Sequence, residues 1–582
     1  MTIATLMLAA GVQAAEVMDM SSVIPGSQGV CITEMDGGEV VEIPLTVIGT
    51  VGPWSAEGEM ILVRLENERF RHTGIIAGMS GSPVYVDGKL LGALAFGWSF
   101  AKEPIGGVTP FGRMMSLAEG DAGAPPVVSG RPSLVEMLEA GRDDGLGELL
   151  TGWLLPERTA EPAGLPLAVT GAAGRDAADG GWLAESWRRL GWVSVPGGGG
   201  AGARGELEPG AMVAAVLVDG DAVLAAGGTV TEVRGDEVWA FGHPFLGGGG
   251  SRLPMARANV VAVMPSQLSS FKFFSVGETI GSFSVDRSHG IWGRLGEAPP
   301  MVPVTVVVDD RRYDYRSIRN AALTPFLVAH VVQSSQSSRG RSFGDQTLAL
   351  RVELNYRGQE PLVFSETIAA ADAPARAWAL VAALVAYTEN STFQAPELEA
   401  VQIDIATEER LAGLRLVDAV PLRRVVRPGE VLPVRLRLRP HRGADLITRE
   451  LGIEVPAGTP EGRLDLVVAD GAAWSLYDLG MRPFVPASFA DEVGVINELQ
   501  PSTSLIMALE RRQIGVALDG GSVAMPPGLV VQLQGGLGSE LATTAYAVVE
   551  TVEEEMGAPV SGAVRIELQV RAEKPLERSE VR

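Results

Sequence analysis

The segment Gly78-Met79-Ser80-Gly81-Ser82-Pro83 sets a serine hydroxyl among small residues. A hydroxyl is a weak nucleophile, so a serine that does chemistry needs a base and donors that stabilise a tetrahedral oxyanion. Small residues let the chain turn tightly enough for the Gly78 and Ser80 amides to converge on one point. Of the five histidines (His72, His243, His289, His330 and His441), His243 alone stands at a predicted strand end against a glycine and is fixed by a proline. Its setting is Trp239-Ala240-Phe241-Gly242-His243-Pro244-Phe245. Base and nucleophile need only be neighbours in space, in any chain order. Two carboxylates compete to orient such an imidazole, Asp286 in Val285-Asp286-Arg287 and Glu66 ahead of the serine segment. Lys272, between aromatics in Ser270-Phe271-Lys272-Phe273-Phe274, is either an amine of depressed pKa or a snorkelling side chain. The plain alternatives are a Gly/Ser turn at Ser80, a packed or capping histidine at His243, and solvated carboxylates at both acids.

The hexamer parallels the Gly-Asp-Ser-Gly-Gly-Pro of trypsin-like enzymes, and that parallel selects Ser80 over Ser82. The longer stretch Thr73-Gly74-Ile75-Ile76-Ala77 through Val84-Tyr85-Val86-Asp87-Gly88-Lys89-Leu90-Leu91-Gly92-Ala93 resembles the SpoIVB peptidase family of serine endopeptidases. A second block is similar to the histidine region of that family: Ala240-Phe241-Gly242-His243-Pro244, then Ile280-Gly281-Ser282-Phe283 through Gly290-Ile291-Trp292-Gly293. The resemblance covers about 23–118 and 206–315. It implies Ser80 as nucleophile and His243 as general base. In the sporulation enzyme the histidine block comes first; here the order is reversed, as if the two halves were permuted. That enzyme's PDZ domain has no counterpart here, so a sporulation role is not carried over. The family's proposed aspartate lies shortly before its serine motif, where this chain offers Glu66, offset by one residue. Asp286 is preferred, because one rigid half then holds both acid and imidazole.

These residues need rigid elements to hold them. Short β-type runs fill the first hundred residues, among them Val40-Val41-Glu42-Ile43 and Met60-Ile61-Leu62-Val63-Arg64-Leu65. Asp87-Gly88 between two apolar runs predicts a tight hairpin just after the serine. Gly/Ala/Pro-rich chain with short helices follows, and β-pattern resumes at Ala211. Val431 to Arg439 alternates apolar residues with arginine, which predicts a half-buried strand of a sandwich. The expected organisation is a signal peptide (1–15), a serine-bearing half (16–118), an insert (119–205) and a histidine-bearing half (206–315). A β-rich domain with a short helix (316–395), an Ig-like sandwich (396–480) and a β-rich module (481–582) complete it. The fold class is mainly β: a two-half, trypsin-like β-barrel unit followed by Ig-like sandwich modules.

Bulk properties narrow the function further. A net charge of −24 argues against nucleic-acid partners and against a polybasic hold on anionic lipid. Cys31 is the one cysteine, so an intrachain disulfide and a cysteine-rich metal site are excluded. No zincin, EF-hand, phosphate-loop or dinucleotide pattern occurs, so neither a metal nor a cofactor is expected. Met1 to Ala15 is apolar and closes on small residues, as a signal peptide does, although it lacks a basic start. No later run of 18 apolar residues exists, so no transmembrane segment is expected in the mature chain. The expectation is an exported serine endopeptidase (periplasm, outer envelope or extracellular) acting on protein or peptide substrates, envelope proteins among them. The alternative is a non-catalytic envelope binding or scaffold protein that retains a peptidase fold. N-terminal sequencing of the exported chain should find it starting near Ala15 or Glu16; an intact Met1 on a cytosolic product would overturn export.

Overall fold

The computed structural model describes residues 15–571 except 56–57, 120–127, 143–144, 156–164, 170–180, 200–205, 339–343, 394–395, 442–444, 482–485, 519–520, 527 and 533–542. All but Ala15 of the expected signal segment lies outside the described residues. The chain is mainly β and forms two compact units, 1–131 with 147–305 and 313–339, and 132–146 with 306–312 and 340–582.

The first unit begins with a closed barrel. Its strands are β1 (Gln28–Glu34), β2 (Val40–Ser55), β3 (Gly58–Leu65), β4 (Ser82–Val86), β5 (Lys89–Phe96) and β6 (Ile105–Pro110), in the order β1-β2-β3-β6-β5-β4. Pairing of Cys31 with Val84 and of Gly29 with Val86 closes the ring. Inward positions, including Ile43, Leu45, Val63, Val84 and Val108, make its core. The Asp87-Gly88 hairpin forms as its sequence predicts: both residues have positive φ, 49° and 75°, and Val86 pairs with Lys89.

After β7 (Leu165–Val169), β8 (Trp192–Pro196) and β9 (Gly198–Gly199) come β10 (Met212–Gly220), β11 (Leu224–Arg234), β12 (Glu237–Ala240), β13 (Gly249–Met264), β14 (Phe271–Arg287) and β15 (Gly290–Leu295). β10 pairs with both β11 and β13, β14 joins β13 to β15, and β12 joins β15 to β11. Six antiparallel strands therefore close a second ring. β7 pairs antiparallel with β11, and β8 runs parallel beside β7. Glycines within β11 mark close approaches: a Cβ on Gly228 would run into the Phe241 ring, and one on Gly227 into Met212 and Phe274.

Helix Thr324–Ser337 starts with Pro325 in its first turn and buries most of its length. Trp187, on helix Trp182–Arg189, stacks on Trp192 and meets His330 edge-on. His330 is buried, and neither ring nitrogen has a hydrogen-bond partner among the described residues.

The second unit carries the antiparallel strands Gln346–Tyr356, Leu362–Ala370 and Leu398–Glu408 with helix Ala373–Glu389. Ser133 and Glu136 form a reciprocal capping box at helix Leu134–Arg142. Two further sheets share one core, in which Leu432, Val434, Leu436 and Leu438 of strand Val431–Pro440 face Leu466, Met507 and Leu568. The apolar–arginine alternation read in the sequence thus becomes a sandwich face, with Leu432, Val434, Leu436 and Leu438 inward and the arginines outward.

Burial holds His330 neutral down to about pH 4, against 6.5 for a free imidazole. The unfolded chain takes up a proton first as pH falls, so stability is full above 6.5 and is lost as pH falls towards 4. The loss amounts to about 3 kcal/mol for a shift of this size. Urea unfolding at pH 6.5 and 4.5 should show this acid loss in the wild type and much less of it in His330→Leu; identical losses would refute the assignment.

Candidate functional site

The serine turn is built by tension between local chain reversal and contacts from the second ring. Helix Glu68–Thr73 ends at Gly74, and the chain enters the turn through Ala77. Ala77 donates its N–H to Ser270 O (2.7 Å) and accepts from Lys272 N–H (3.1 Å). Gly78 and Gly81 hold φ of +100° and +99°, a region that favours glycine. On β11, the Thr229 hydroxyl donates to Gly78 O (2.8 Å), the Thr229 N–H to Ser80 O (2.7 Å) and the Thr231 hydroxyl to Gly81 O (2.8 Å). Met79 O accepts from Ser82 N–H at 2.8 Å.

All five carbonyls from Ala77 to Gly81 are therefore engaged. The amides alternate: Ala77, Met79 and Gly81 donate, the last to Leu94 O at 2.7 Å. Those of Gly78 and Ser80 donate to no acceptor among the described residues. Ser80 is 3% exposed, and its hydroxyl oxygen is buried and also has no partner there. The Ser82 hydroxyl is likewise buried without a hydrogen-bond partner among the described residues, but it points elsewhere. Ser82 shares a strand face with Val84 and Val86, which point into the barrel core.

His243 reaches the same place from β12. Phe241 and Gly242 both take positive φ, 69° and 71°, and turn the chain sharply at the strand end. A side chain at Gly242 would collide with Ala93 and crowd Ala95. Gly242 O accepts from the Thr109 hydroxyl (2.6 Å), and Phe96 lies 6.4 Å from the imidazole, centre to centre. The serine turn is tied to Leu94 and the histidine turn sits against Ala93, Ala95 and Phe96, so one short run of β5 gathers both. His243 is fully buried, with Nδ1 2.9 Å from Pro244 O. Because the Ser80 hydroxyl has no hydrogen bond, the pair is not bonded in this structure.

Asp286 lies near the end of β14 and is 1% exposed. Its carboxylate accepts the N–H groups of Phe245 (2.7 Å), Leu246 (2.6 Å) and Gly247 (2.9 Å), the loop directly after His243-Pro244. The solvated-carboxylate alternative fails for it. Glu66 is exposed at the end of β3, and its side chain makes no hydrogen bond among the described residues. Lys272 is fully buried beneath the turn, its stem against Gly78 and its Nζ donating to the Thr33 hydroxyl at 2.8 Å. Thr109, Thr229 and Thr231, which fix the backbone here, carried no motif. The one sequence signal for Thr229 and Thr231 is the adjoining Gly227-Gly228, small residues inside a strand.

Two unclaimed amides beside an unclaimed hydroxyl, with an imidazole gathered on the same strand, form the parts list of acyl transfer. Among the described residues no group of three or more His, Cys, Asp or Glu side chains is arranged to hold a metal ion. Nor is any described helix long and apolar enough to cross a membrane. Comparisons of the chain with protein-family models, with curated proteins and with solved structures find no match.

Burial lowers the pKa of Lys272 from 10.5 to about 7, against the opposing field of Glu34. Between those values the unfolded chain binds more protons, so stability rises as pH goes from 7 to 10.5 and is lost on the way down. The transition midpoint of the wild type should accordingly climb between pH 7 and 9.5. Lys272→Met should flatten that climb; an unchanged slope would remove Lys272 as its source.

Proposed function

We propose that this chain is an exported serine endopeptidase related to the SpoIVB peptidases, cleaving protein or peptide substrates through an acyl-enzyme on Ser80. One observation carries the reading: the turn spends every carbonyl from Ala77 to Gly81 on protein donors yet leaves the Gly78 and Ser80 amides and the Ser80 hydroxyl unclaimed. Ser80 Oγ attacks the scissile carbonyl carbon while His243 takes its proton, and the Gly78 and Ser80 amides hold the oxyanion. His243 returns the proton to the departing amine, then activates a water that releases the acyl group from Ser80. Asp286 is the acid of this reading. It fixes the loop that carries the imidazole, and Glu66, exposed on the barrel, is the weaker candidate. Two closed six-strand rings meeting at the site support the trypsin-like reading of the first unit, and a two-sheet core supports the Ig-like reading of the second.

A second reading draws on the burial of Ser80 and His243 and on the missing bond between them. In it the chain is a non-catalytic envelope binding or scaffold protein that keeps the peptidase fold. A fluorophosphonate probe separates the two. Labelling of the folded wild type that is lost in Ser80→Ala and kept in Ser82→Ala is expected; an unlabelled folded wild type would favour the scaffold. With a cleavable substrate, His243→Ala should cost about as much as Ser80→Ala, and the double variant scarcely more. Asp286→Asn, which puts an N–H donor against loop amides that need an acceptor, should lower turnover far more than Glu66→Gln. Multiplicative losses at Ser80 and His243 would break the single catalytic unit.

A further inference from the structure

The second unit holds a cavity of about 660 Å³ between helices Leu134–Arg142, Ala373–Glu389 and Gly471–Met481 and the strand ends near Leu414 and Pro440. Its walls and its rim differ in chemistry. Leu138, Leu380 and Leu476 face it from three helices. Arg142, Arg415 and Arg439 also line it, and none has a carboxylate partner or a hydrogen bond among the described residues. Arg415 and Arg439 stand directly opposite one another in the antiparallel register, an arrangement that like charges oppose unless an anion sits between them. Many arginines elsewhere in this unit meet carboxylates, among them Arg357, Arg410, Arg437, Arg463 and Arg565, while Arg424, Arg449, Arg511 and Arg512 meet none among the described residues.

The acids lining the cavity do not neutralise the three arginines. Glu366 accepts from the Ser502 amide, and Asp470 accepts from the amides of Ala473 and Gly562. Arg376 is paired with Asp372. The Ser475 hydroxyl is likewise occupied, donating to Gly471 O and accepting from Gln500 N–H. The leucines of the three helices offer an alkyl chain an apolar surface that asks for no hydrogen bonds, and the three arginines offer an anion its charge partners.

We propose that this cavity binds a single-chain amphiphile with an anionic head, its alkyl tail along Leu138, Leu380 and Leu476 and its head on Arg142, Arg415 and Arg439. A planar guanidinium pair suits carboxylate and phosphate alike, by paired charge-assisted hydrogen bonds. The site is separate from the serine turn and does not depend on the peptidase reading.

The test titrates the full-length chain by calorimetry with dodecanoate, dodecyl phosphate, dodecanol and an apolar hexapeptide with a free C-terminus, each below its aggregation range. Saturable 1:1 binding of either anionic amphiphile, with a Kd on the order of micromolar, is expected. Whichever of the two binds tighter identifies the head group. The Arg415→Ala/Arg439→Ala variant sits on exposed strand positions and should keep its unfolding midpoint while losing about tenfold or more in affinity. Leu380→Glu should weaken binding by setting a like charge beside the tail. Dodecanol that binds as well as dodecanoate, an arginine variant of unchanged affinity, no saturable binding of either anion, or binding of the peptide alone would each overturn the assignment.

Discussion

A side chain at Gly81 would collide with the carbonyl of Thr229, and that contact between two closed β-rings governs everything around it. The same threonine holds the carbonyls of Gly78 and Ser80, so one strand of the second ring fixes the backbone of a turn that belongs to the first. Close approach needs a residue with no Cβ at Gly81 and a second at Gly242, where Ala93 and Ala95 press from the barrel. Remove either glycine and the rings must separate, and the serine and histidine separate with them. The geometry of the site is a property of the ring interface.

That interface is polar where an ordinary core would be greasy. Glu34 is 1% exposed and accepts the amides of Met212 (3.0 Å) and Val260 (2.8 Å), stapling β1 to two strands of the other ring. Asp36 does the same for Val263 at 2.7 Å. Lys272 brings a buried amine close to Glu34 and hydrogen-bonds Thr33. Burying such groups is tolerable only when their lone pairs and protons find partners, and removing one partner strands the other. Directional bonds of this kind accept one register, whereas apolar packing would allow the rings to slide.

Local features were legible from the sequence because local rules decide them. Asp87-Gly88 can close a two-residue hairpin in few ways, and the arginine alternation of Val431 to Arg439 permits one buried face. The glycines around Ser80 and His243 announced tight backbone at both places. What stayed hidden was long-range. Nothing in Thr229, Thr231 or Thr109 tells which carbonyl each will meet, because their partners lie in another ring. Asp286 read as a surface carboxylate or an imidazole partner; it is buried, and it collects three consecutive amides of the histidine loop, which no local pattern announced. Closure of the second ring rests on β10 pairing with two strands at once, which no single run of residues encodes.

The bonds that finish the serine turn join residues up to 151 apart in sequence, and those of Glu34 reach 226. Contacts between distant residues form late, since the entropy of closing so long a loop must be met before they reward it. A chain emerging from its N-terminus completes β1 to β6 well before Thr229 exists. Until then the carbonyls of Gly78, Ser80 and Gly81 lack their partners, and the barrel ends in an unfinished turn. The wiring of this interface therefore acts as a clock, keeping the turn from its final shape until the second ring has been made and closed.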